Sequence, residues 1–509
     1  MVWYCCASLL GRCPCCNSAM PPFASMQRIL RKLCLFLGLV VVSRAFTAHP
    51  ISSAFLGRSS VVIGIAPHAD DTSNDDSASP KTSGQASIPT LSVSLVKSIV
   101  GGGVLALPSG MAAMGGSPDI VPTAITTILA SGALNAFYFG LVGKVCDTTE
   151  ATSYKQAWER TVGSSTSPLV TLTVTLKTAL SCLAYSMILA DSGQALANAS
   201  MWTDGEGITR TQALLAITGI ALVPLTLQRN LKALAPFSLV GLLGMLVTTA
   251  TIVTRCQDGS YRPNTGVFVS DLPTGLQPTF GEAPVASATG SITDWPGVVL
   301  LCTLATAFVA HYNAPRFYNE LQDASVQRFQ SVAFLSYAMA TVLFVVVGCC
   351  GFLTFGQAAQ GYILNNYSPN DSLATISKTA LAGSILLTYP LPFVGLRDGT
   401  LDLLQVQNRQ SWPVHTVTTV TLLAAITAAA LAVQDLALVL SVGGGTFSTA
   451  VSAVFPVCMF LAMERSEEED KNVMSHLERV VAALGMLLSV GIGVEGVHLA
   501  LTKAAAAST

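Results

Sequence analysis

Residues 94–110 read SLVKSIVGGGVLALPSG, an apolar segment of membrane-spanning length that contains one lysine, three consecutive glycines and a proline. A helix inside a bilayer has no water to bond its backbone, so a glycine interruption is tolerated only where it faces protein or a polar cavity. Interrupted helices of this kind are typical of the sites where membrane carriers hold their solutes. The segment therefore predicts a membrane protein with a solute site at residues 101–103.

The composition is that of a polytopic membrane protein. Of 509 residues, 11% are charged and 51% are hydrophobic, and the mean hydropathy is +0.58, whereas a soluble domain has about 25% charged residues. The formal net charge of -2 lacks the basic excess that is typical of nucleic acid binding. The lipid bilayer is therefore an expected partner, and nucleic acid is not.

Eleven apolar stretches are long enough to cross a bilayer as helices, which takes about 17 to 25 residues each. We expect an all-α polytopic membrane protein with about eleven transmembrane helices. The predicted spans are 92–114, 119–142, 167–190, 211–227, 234–254, 294–314, 331–354, 374–396, 412–433, 436–462 and 477–501.

The basic residues of the loops predict which ends of the spans face the cytosol. If the first span starts inside, the inner loops collect twelve Lys and Arg residues, and the outer loops with the tail collect five. The chain is thus expected to start inside and to end outside. Three sequons, at Asn198, Asn366 and Asn370, fall on the predicted outer side, where glycosylation is possible.

The N-terminal region has the layout of a targeting leader. A basic start after Met26 precedes a short apolar core and the small residues before Phe46, as in a signal peptide. Residues 1–46 are interpreted as the leader, with Met26 as a possible true start, 47–91 as a disordered polar tail, and 92–502 as the transmembrane domain. The leader resembles the bipartite plastid-targeting leaders of algae, so the plastid envelope and the vacuole or another endomembrane are candidate locations, with the plasma membrane left open.

No enzyme or metal chemistry is predicted. Cys13, Cys15 and Cys16 have no His or acidic partner at zinc spacing, and the glycines at 443–445 lack the preceding strand that a phosphate loop needs. We expect a non-enzyme without a cofactor, and we interpret residues 443–445 as a helix-packing segment.

Five segments together resemble the amino acid/auxin permease family, closest to its neutral amino acid branch and its vacuolar relatives. They are SLVKSIVGGGVLALPSGM, CLAYSMILADS, PLTLQRNLKALAPFSLVG, AFVAHYNAPRFYNEL and GFLTFGQAAQGYILNNY, and they follow the family's order. The resemblance implies two inverted five-helix repeats of the LeuT type plus one extra helix. It also implies transport of amino acids, driven by sodium or protons.

The candidate substrate site combines the glycine break with its counterpart in the second repeat. The backbone of Ser98, Gly101, Gly102 and Gly103 would meet the carboxylate and ammonium groups of the substrate. The alternative is that these glycines serve only helix packing. In the sixth span, the resemblance implies a second break at residues 307–315.

Three residues of the sixth span and one tyrosine of the third span complete the predicted pocket. Ala307 and Phe308 would line it, Phe308 as an apolar wall, and His311 would supply a hydrogen bond or a titratable group; alternatively, His311 marks only the cytosolic end of the helix. Tyr185 of the third span would cap the pocket, or else pack between helices. Another buried charge, Lys177, is a functional candidate by its position inside a span.

Lys97 and Thr388 are the predicted ion-coupling residues. In sodium-coupled members that the motif resembles, an amide side chain stands in place of Lys97, and Thr388 matches a hydroxyl that helps to hold the ion. A lysine ammonium would occupy the place of the cation, which favours proton-coupled or uncoupled transport. The alternative is that Lys97 extends to the cytosolic interface.

The sequence thus predicts a secondary active transporter that moves amino acids by alternating access, and the resemblance implies neutral amino acids. The coupling ion would be a proton or, less favoured, sodium. The alternative is a non-transporting amino acid sensor, or transceptor, that uses the same pocket. No motif identifies protein partners.

Overall fold

The computed structural model describes residues 84–199, 207–228, 238–281, 297–406, 408, 409, 411–433, 435–466 and 473–508. All eleven predicted spans overlap helices of this part of the chain, several of them interrupted. Residues 234–237 and 294–296 of the fifth and sixth predicted spans lie outside it. The spans, numbered in chain order, are Ile88–Ile99 with Leu107–Ala112; Val121–Thr149; Ser167–Ala199; Arg210–Ile217 with Val223–Leu227; Ser238–Asp258; Val298–Phe308 with Ala314–Glu320; Val326–Phe355; Ser372–Thr388 with Pro390–Leu403; Trp412–Ala432; Leu436–Gly443 with Phe455–Ser466; and Val473–Ser508.

The described chain is helical apart from two isolated bridges. By length and composition, nine of its helices can cross a membrane, and the bent pair of the first span makes a tenth. The fifth predicted span corresponds to the 21-residue helix Ser238–Asp258. The predicted all-α polytopic architecture is confirmed.

The N-terminal boundary of the transmembrane domain lies earlier than predicted. The expected disorder of residues 47–91 is wrong for residues 84–91, because Ala86 pairs its backbone with Glu320 and Gln322 at 3.0 Å each. The first helix then starts at Ile88, with a proline in its first turn, a position where the missing amide costs no hydrogen bond. The predicted leader and the rest of the polar tail lie outside the described residues.

The seventh span is central and the fourth, ninth and eleventh are peripheral. In the most apolar 18-residue window of each span, 78% of the seventh is buried, against 22%, 28% and 17% of the other three. The seventh packs along the second span, and the eighth along both the third and the fifth. A peripheral apolar helix has its uncovered face available to lipid, which is where a bilayer would contact it.

Ion pairs at the two ends of the bundle agree with the alternating direction of the spans. At the predicted inner end, Lys144 of the second span bonds to Glu478 of the eleventh at 2.5 Å. At the outer end, Arg210 bonds to Asp191 at 2.6 Å. Of the three sequons, the one at Asn366 is ruled out as a glycosylation site, because its side chain is fully buried and bonds to the backbone of Gln360 and Ala358.

Candidate solute site between two broken spans

The first span is interrupted at its glycines. Its helix ends at Ile99, Gly101 is extended with φ -116° and ψ -163°, and a short 3-10 helix runs from Gly102 to Ala106. The two halves of the span are bent by 50°. The first amides of a helix have no partner inside that helix, so the amides of Gly102 and Gly103 are available to an anionic group.

The sixth span is interrupted in the same way. The helix Val298–Phe308 ends, Val309 and Ala310 leave the helical conformation, and the helix Ala314–Glu320 starts with a proline in its first turn. The hydroxyl of Thr306 donates to the carbonyl of Leu440 at 2.7 Å, which joins the end of the first half to the tenth span. Carbonyls at the C-terminal end of a helix favour a cation.

The two interruptions are in contact. A Cβ atom at Gly103 would lie 3.3 Å from the Cα of Ala307, so a side chain there would be tightly packed and would push the two breaks apart by a few tenths of an ångström. The amide of Asn313 donates to the hydroxyl of Ser98 at 3.3 Å. Between the breaks lies a cavity of about 70 Å³, lined by Ser98, Ile99, Gly101, Gly102, Gly103, Lys177, Leu180, Ser181, Ala184, Tyr185, Thr306, Ala307, Val309, Val439, Leu440, Gly443 and Ser448.

The structure brings six of the predicted substrate-site residues to this cavity: Ser98, Gly101, Gly102, Gly103, Ala307 and Tyr185. The hydroxyl of Tyr185 lies 3.2 Å from the position of a Cβ atom at Gly101. Tyr185 therefore covers the unwound backbone from the third span.

Phe308 and His311 do not line the cavity, so their predicted places are corrected. Phe308 is fully buried, with its ring centroid 4.6 Å from that of Phe344. His311, also fully buried, places its Nε2 3.1 Å from the carbonyl of Asn135. Phe308 thus packs against the seventh span and His311 against the second.

Lys97 and Thr388 converge on one glycine of the fifth span. A Cβ atom at Gly241 would lie 3.3 Å from Ser384 Oγ, 3.4 Å from Thr388 Cγ2 and 3.7 Å from Lys97 Cε. The hydroxyl of Thr388 donates to the carbonyl of Ser384 at 2.9 Å. The lysine stem is thus directed into the junction of the first, fifth and eighth spans.

Lys177 is a cavity residue that was not among the predicted site residues. It is buried, with 8% of its surface exposed, and its ammonium lies 4.7 Å from the ring centre of Tyr312 in the sixth-span break. The sequence signal was the presence of a charge inside an apolar span, but no motif indicated that this face of the third span borders the breaks.

The glycines at 443–445 lie in the tenth span, where π-helical turns begin at Gly444. A Cβ atom at Gly444 would lie 1.8 Å from the carbonyl oxygen of Cys302, and one at Gly445 would lie 2.6 Å from that of Gly493. These contacts are helix packing, as interpreted from the sequence, while Gly443 also lines the cavity.

Two broken spans that meet at a cavity in a helical bundle are the arrangement of the LeuT-type fold. The fold is similar to that of Mhp1 in its inward-facing conformation, with a TM-score of 0.52 and 13% sequence identity over 83% of this chain and 90% of that one. The chain belongs to the family of transmembrane amino acid transporter proteins, whose model matches residues 84–497. It is therefore an integral membrane protein with a role in amino acid transport, not an enzyme.

Relatives with curated names agree with this family. The chain is 22% identical to "Putative sodium-coupled neutral amino acid transporter 11" of Danio rerio, over 80% of this chain and 86% of the relative. It is 21% identical to "Sodium-coupled neutral amino acid transporter 7" of Xenopus laevis, over 58% and 62%. It is also 21% identical to "Vacuolar amino acid transporter 2" of Saccharomyces cerevisiae, over 68% of each chain.

Proposed function

We propose that the protein is a secondary active transporter that carries amino acids with neutral side chains by alternating access. The observation that carries the proposal is the meeting of the first-span and sixth-span breaks at one cavity. Family membership supports amino acids as the cargo, and two of the three relatives above are named as transporters of neutral amino acids.

The backbone of the two breaks supplies groups for the two charged ends of an amino acid. The carboxylate would bond to the amides of Gly102 and Gly103, and the ammonium would lie near the carbonyl end of the helix that terminates at Phe308. The third and tenth spans contribute four apolar side chains to the cavity: Leu180, Ala184, Val439 and Leu440. An uncharged side chain suits such walls.

The contacts around the cavity support an inward-facing member of an alternating-access cycle. On the predicted outer side, Tyr362 and Ser192 share a buried hydrogen bond of 2.8 Å, and Asp191 binds both Arg210 at 2.6 Å and Asn365 at 3.0 Å. On the other side of the first-span break, Ser98 is exposed. Opening of the outer side would require these three contacts to separate.

We also propose that transport does not require sodium and is coupled to protons. The stem of Lys97 points to the junction that contains Thr388, and a fixed positive charge there repels a sodium ion. No described residue accepts a hydrogen bond from the Lys97 ammonium. We propose that this group exchanges its proton with water during the transport cycle.

Uptake by purified protein in lipid vesicles tests both proposals. With labelled alanine or leucine, we expect uptake to persist when choline replaces sodium, and to change rate when a pH gradient is imposed. Collapse of uptake without sodium would contradict proton coupling. Binding without uptake under either gradient would contradict transport and would instead favour the sensor.

The compartment stays a prediction. The vacuolar relative and the leader-like sequence before Phe46 favour an endomembrane such as the vacuole or the plastid envelope.

A further inference from the structure

The walls of the cavity contain a single charge. Among the described residues that line it, the titratable ones are Lys177 and Tyr185, and only Lys177 carries a charge at neutral pH. The breaks themselves contribute backbone dipoles and the hydroxyl groups of Ser98 and Thr306. A substrate side chain that enters the cavity therefore meets one fixed positive charge and no fixed negative charge.

The Lys177 charge has no carboxylate partner among the described residues. Its ammonium lies 3.5 Å from the hydroxyl of Tyr312 and 4.7 Å from the centre of that ring, a cation–π contact. A ring holds a cation in position but does not compensate its charge. A nearby aspartate would compensate it. The side chain is also mostly withdrawn from solvent, where charges act more strongly on one another than in water.

We infer that Lys177 sets the charge class of the substrate, so that the cavity rejects amino acids with cationic side chains and accepts those with neutral or anionic ones. This inference rests on the proposed function and deepens it. At a separation of about 8 Å and an effective dielectric constant of about 20, the repulsion of a second cation lowers affinity roughly thirtyfold. The same charge favours a carboxylate side chain.

Competition against labelled alanine uptake in lipid vesicles tests the inference. The probes are lysine against methionine, which has a side chain of similar length, and glutamate against glutamine. For the unchanged protein we expect lysine to compete at least about tenfold more weakly than methionine, and glutamate at least as well as glutamine. In Lys177→Gln, the ratio by which methionine competes better than lysine should decrease about tenfold. Glutamate should compete more weakly with the variant than with the unchanged protein.

Two variants separate charge from shape. Lys177→Arg retains the charge and should retain the order of competitors. Tyr312→Leu removes the ring but leaves the lysine, and should likewise retain the order, although the affinities change. An unchanged order in Lys177→Gln, or a lost order in Lys177→Arg, would overturn the inference.

Thermal stabilisation of the detergent-purified protein by methionine and lysine measures binding independently of transport. Stabilisation of the unchanged protein by methionine but not by lysine supports the charge filter even if vesicles show no uptake, in which case only the proposed transport fails. Equal stabilisation by both amino acids overturns the filter and leaves transport untouched. If both Lys177→Gln and Lys177→Arg lose uptake and stabilisation, the residue has a structural role and the inference is wrong.

Discussion

Gly102 occupies a place where even a small side chain meets the third span. A Cβ atom there would lie 2.8 Å from Ile188 Cδ1 and 3.6 Å from a ring carbon of Tyr185. The end of an isoleucine side chain can yield to one methyl group, but a branched side chain would also displace the tyrosine that covers the break. The volume of the cavity therefore depends on glycine at this position.

Gly102→Val should lower amino acid uptake strongly, by up to about a hundredfold, because a displacement near 1 Å at a binding site can have that effect. Initial uptake rates in vesicles, normalised to the amount of folded protein, measure it. The matched control is Gly383→Val in the eighth span, where a Cβ atom meets nothing within 4 Å. Normal uptake by Gly102→Val would show that the glycines serve packing alone.

Lys97→Asn should confer dependence on sodium. The amide replaces a fixed cation with an oxygen that can coordinate one, at the junction where Thr388 also lies. Uptake by the variant is compared in sodium and in choline, and a stimulation by sodium that the unchanged protein lacks is expected. Adding Thr388→Val, which removes the hydroxyl with little change of shape, should abolish the gain. Identical behaviour in both salts would return Lys97 to a role at the membrane interface.

The residues of the site were predictable to different degrees. The glycine triplet together with Pro108 marked residues 101–103 as a break that could be found from the sequence. The triplet alone does not decide this, because residues 443–445 stay helical in the tenth span. Phe308 and His311 could not be placed, because the face of the sixth span that meets the cavity depends on how this span packs against the second and seventh spans.

The eighth span begins next to a buried carboxylate. The Asp371 carboxylate, fully buried, accepts bonds from the amides of Leu373 and Ala374 at 3.0 and 3.3 Å. The same carboxylate binds Arg255 through two bonds, of 2.6 and 2.8 Å. One residue thus caps the eighth span and joins it to the fifth.

The stability of this helix start should depend on pH. Burial raises the pKa of the Asp371 carboxyl, but the hydrogen bonds and charge of Arg255 outweigh burial and hold the pKa below its ordinary value. A lowered pKa in the folded state stabilises the protein above the unfolded pKa of about 3.9, and this contribution is lost as the pH falls further. We expect the contribution of Asp371 to the melting temperature in detergent to be constant from pH 7 to 5. Below about pH 4 this contribution should decrease.

Asp371→Asn should lower the melting temperature at pH 7. At acid pH the melting temperatures of the variant and of the unchanged protein should become more similar. Removal of one partner from a buried ion pair costs about 3 kcal/mol or more. Asp271→Asn is the control, because Asp271 is exposed and, among the described residues, accepts bonds from Ser368 and Asn370 and from no basic side chain. A difference that stays constant at every pH would show that the Arg255 pair is not the cause.

For whole elements, hydropathy predicted where helices run but not how they are interrupted. The π-helical turns of the tenth span begin at Gly444, where close contact with Cys302 shapes the backbone. That contact joins residues more than a hundred positions apart, so no local pattern could indicate it.

At the scale of the molecule, the course of the helices followed from apolar length, because the bilayer imposes that length. The side of the membrane on which the chain starts stays a prediction from loop charge. The burial of Asn366 could not be predicted from the sequence. A sequon is recognised from three residues, whereas the Asn366 side chain is buried because it bonds to the backbone six and eight residues earlier in the loop. The location of Lys177 on the cavity likewise depended on how the third span is rotated in the bundle.

The backbone pairing of Ala86 with Glu320 and Gln322 decides where a fluorescent protein can be attached. The segment ahead of the first span is bonded to the inner end of the sixth, and the space beside Gly84 is filled by the carbonyl group of Glu320. A bulky fusion immediately before Gly84 would therefore press on both broken spans and would slow the cycle that it was meant to follow. A fusion after the eleventh span is attached to a peripheral helix instead, where it can report location without loading the parts that move.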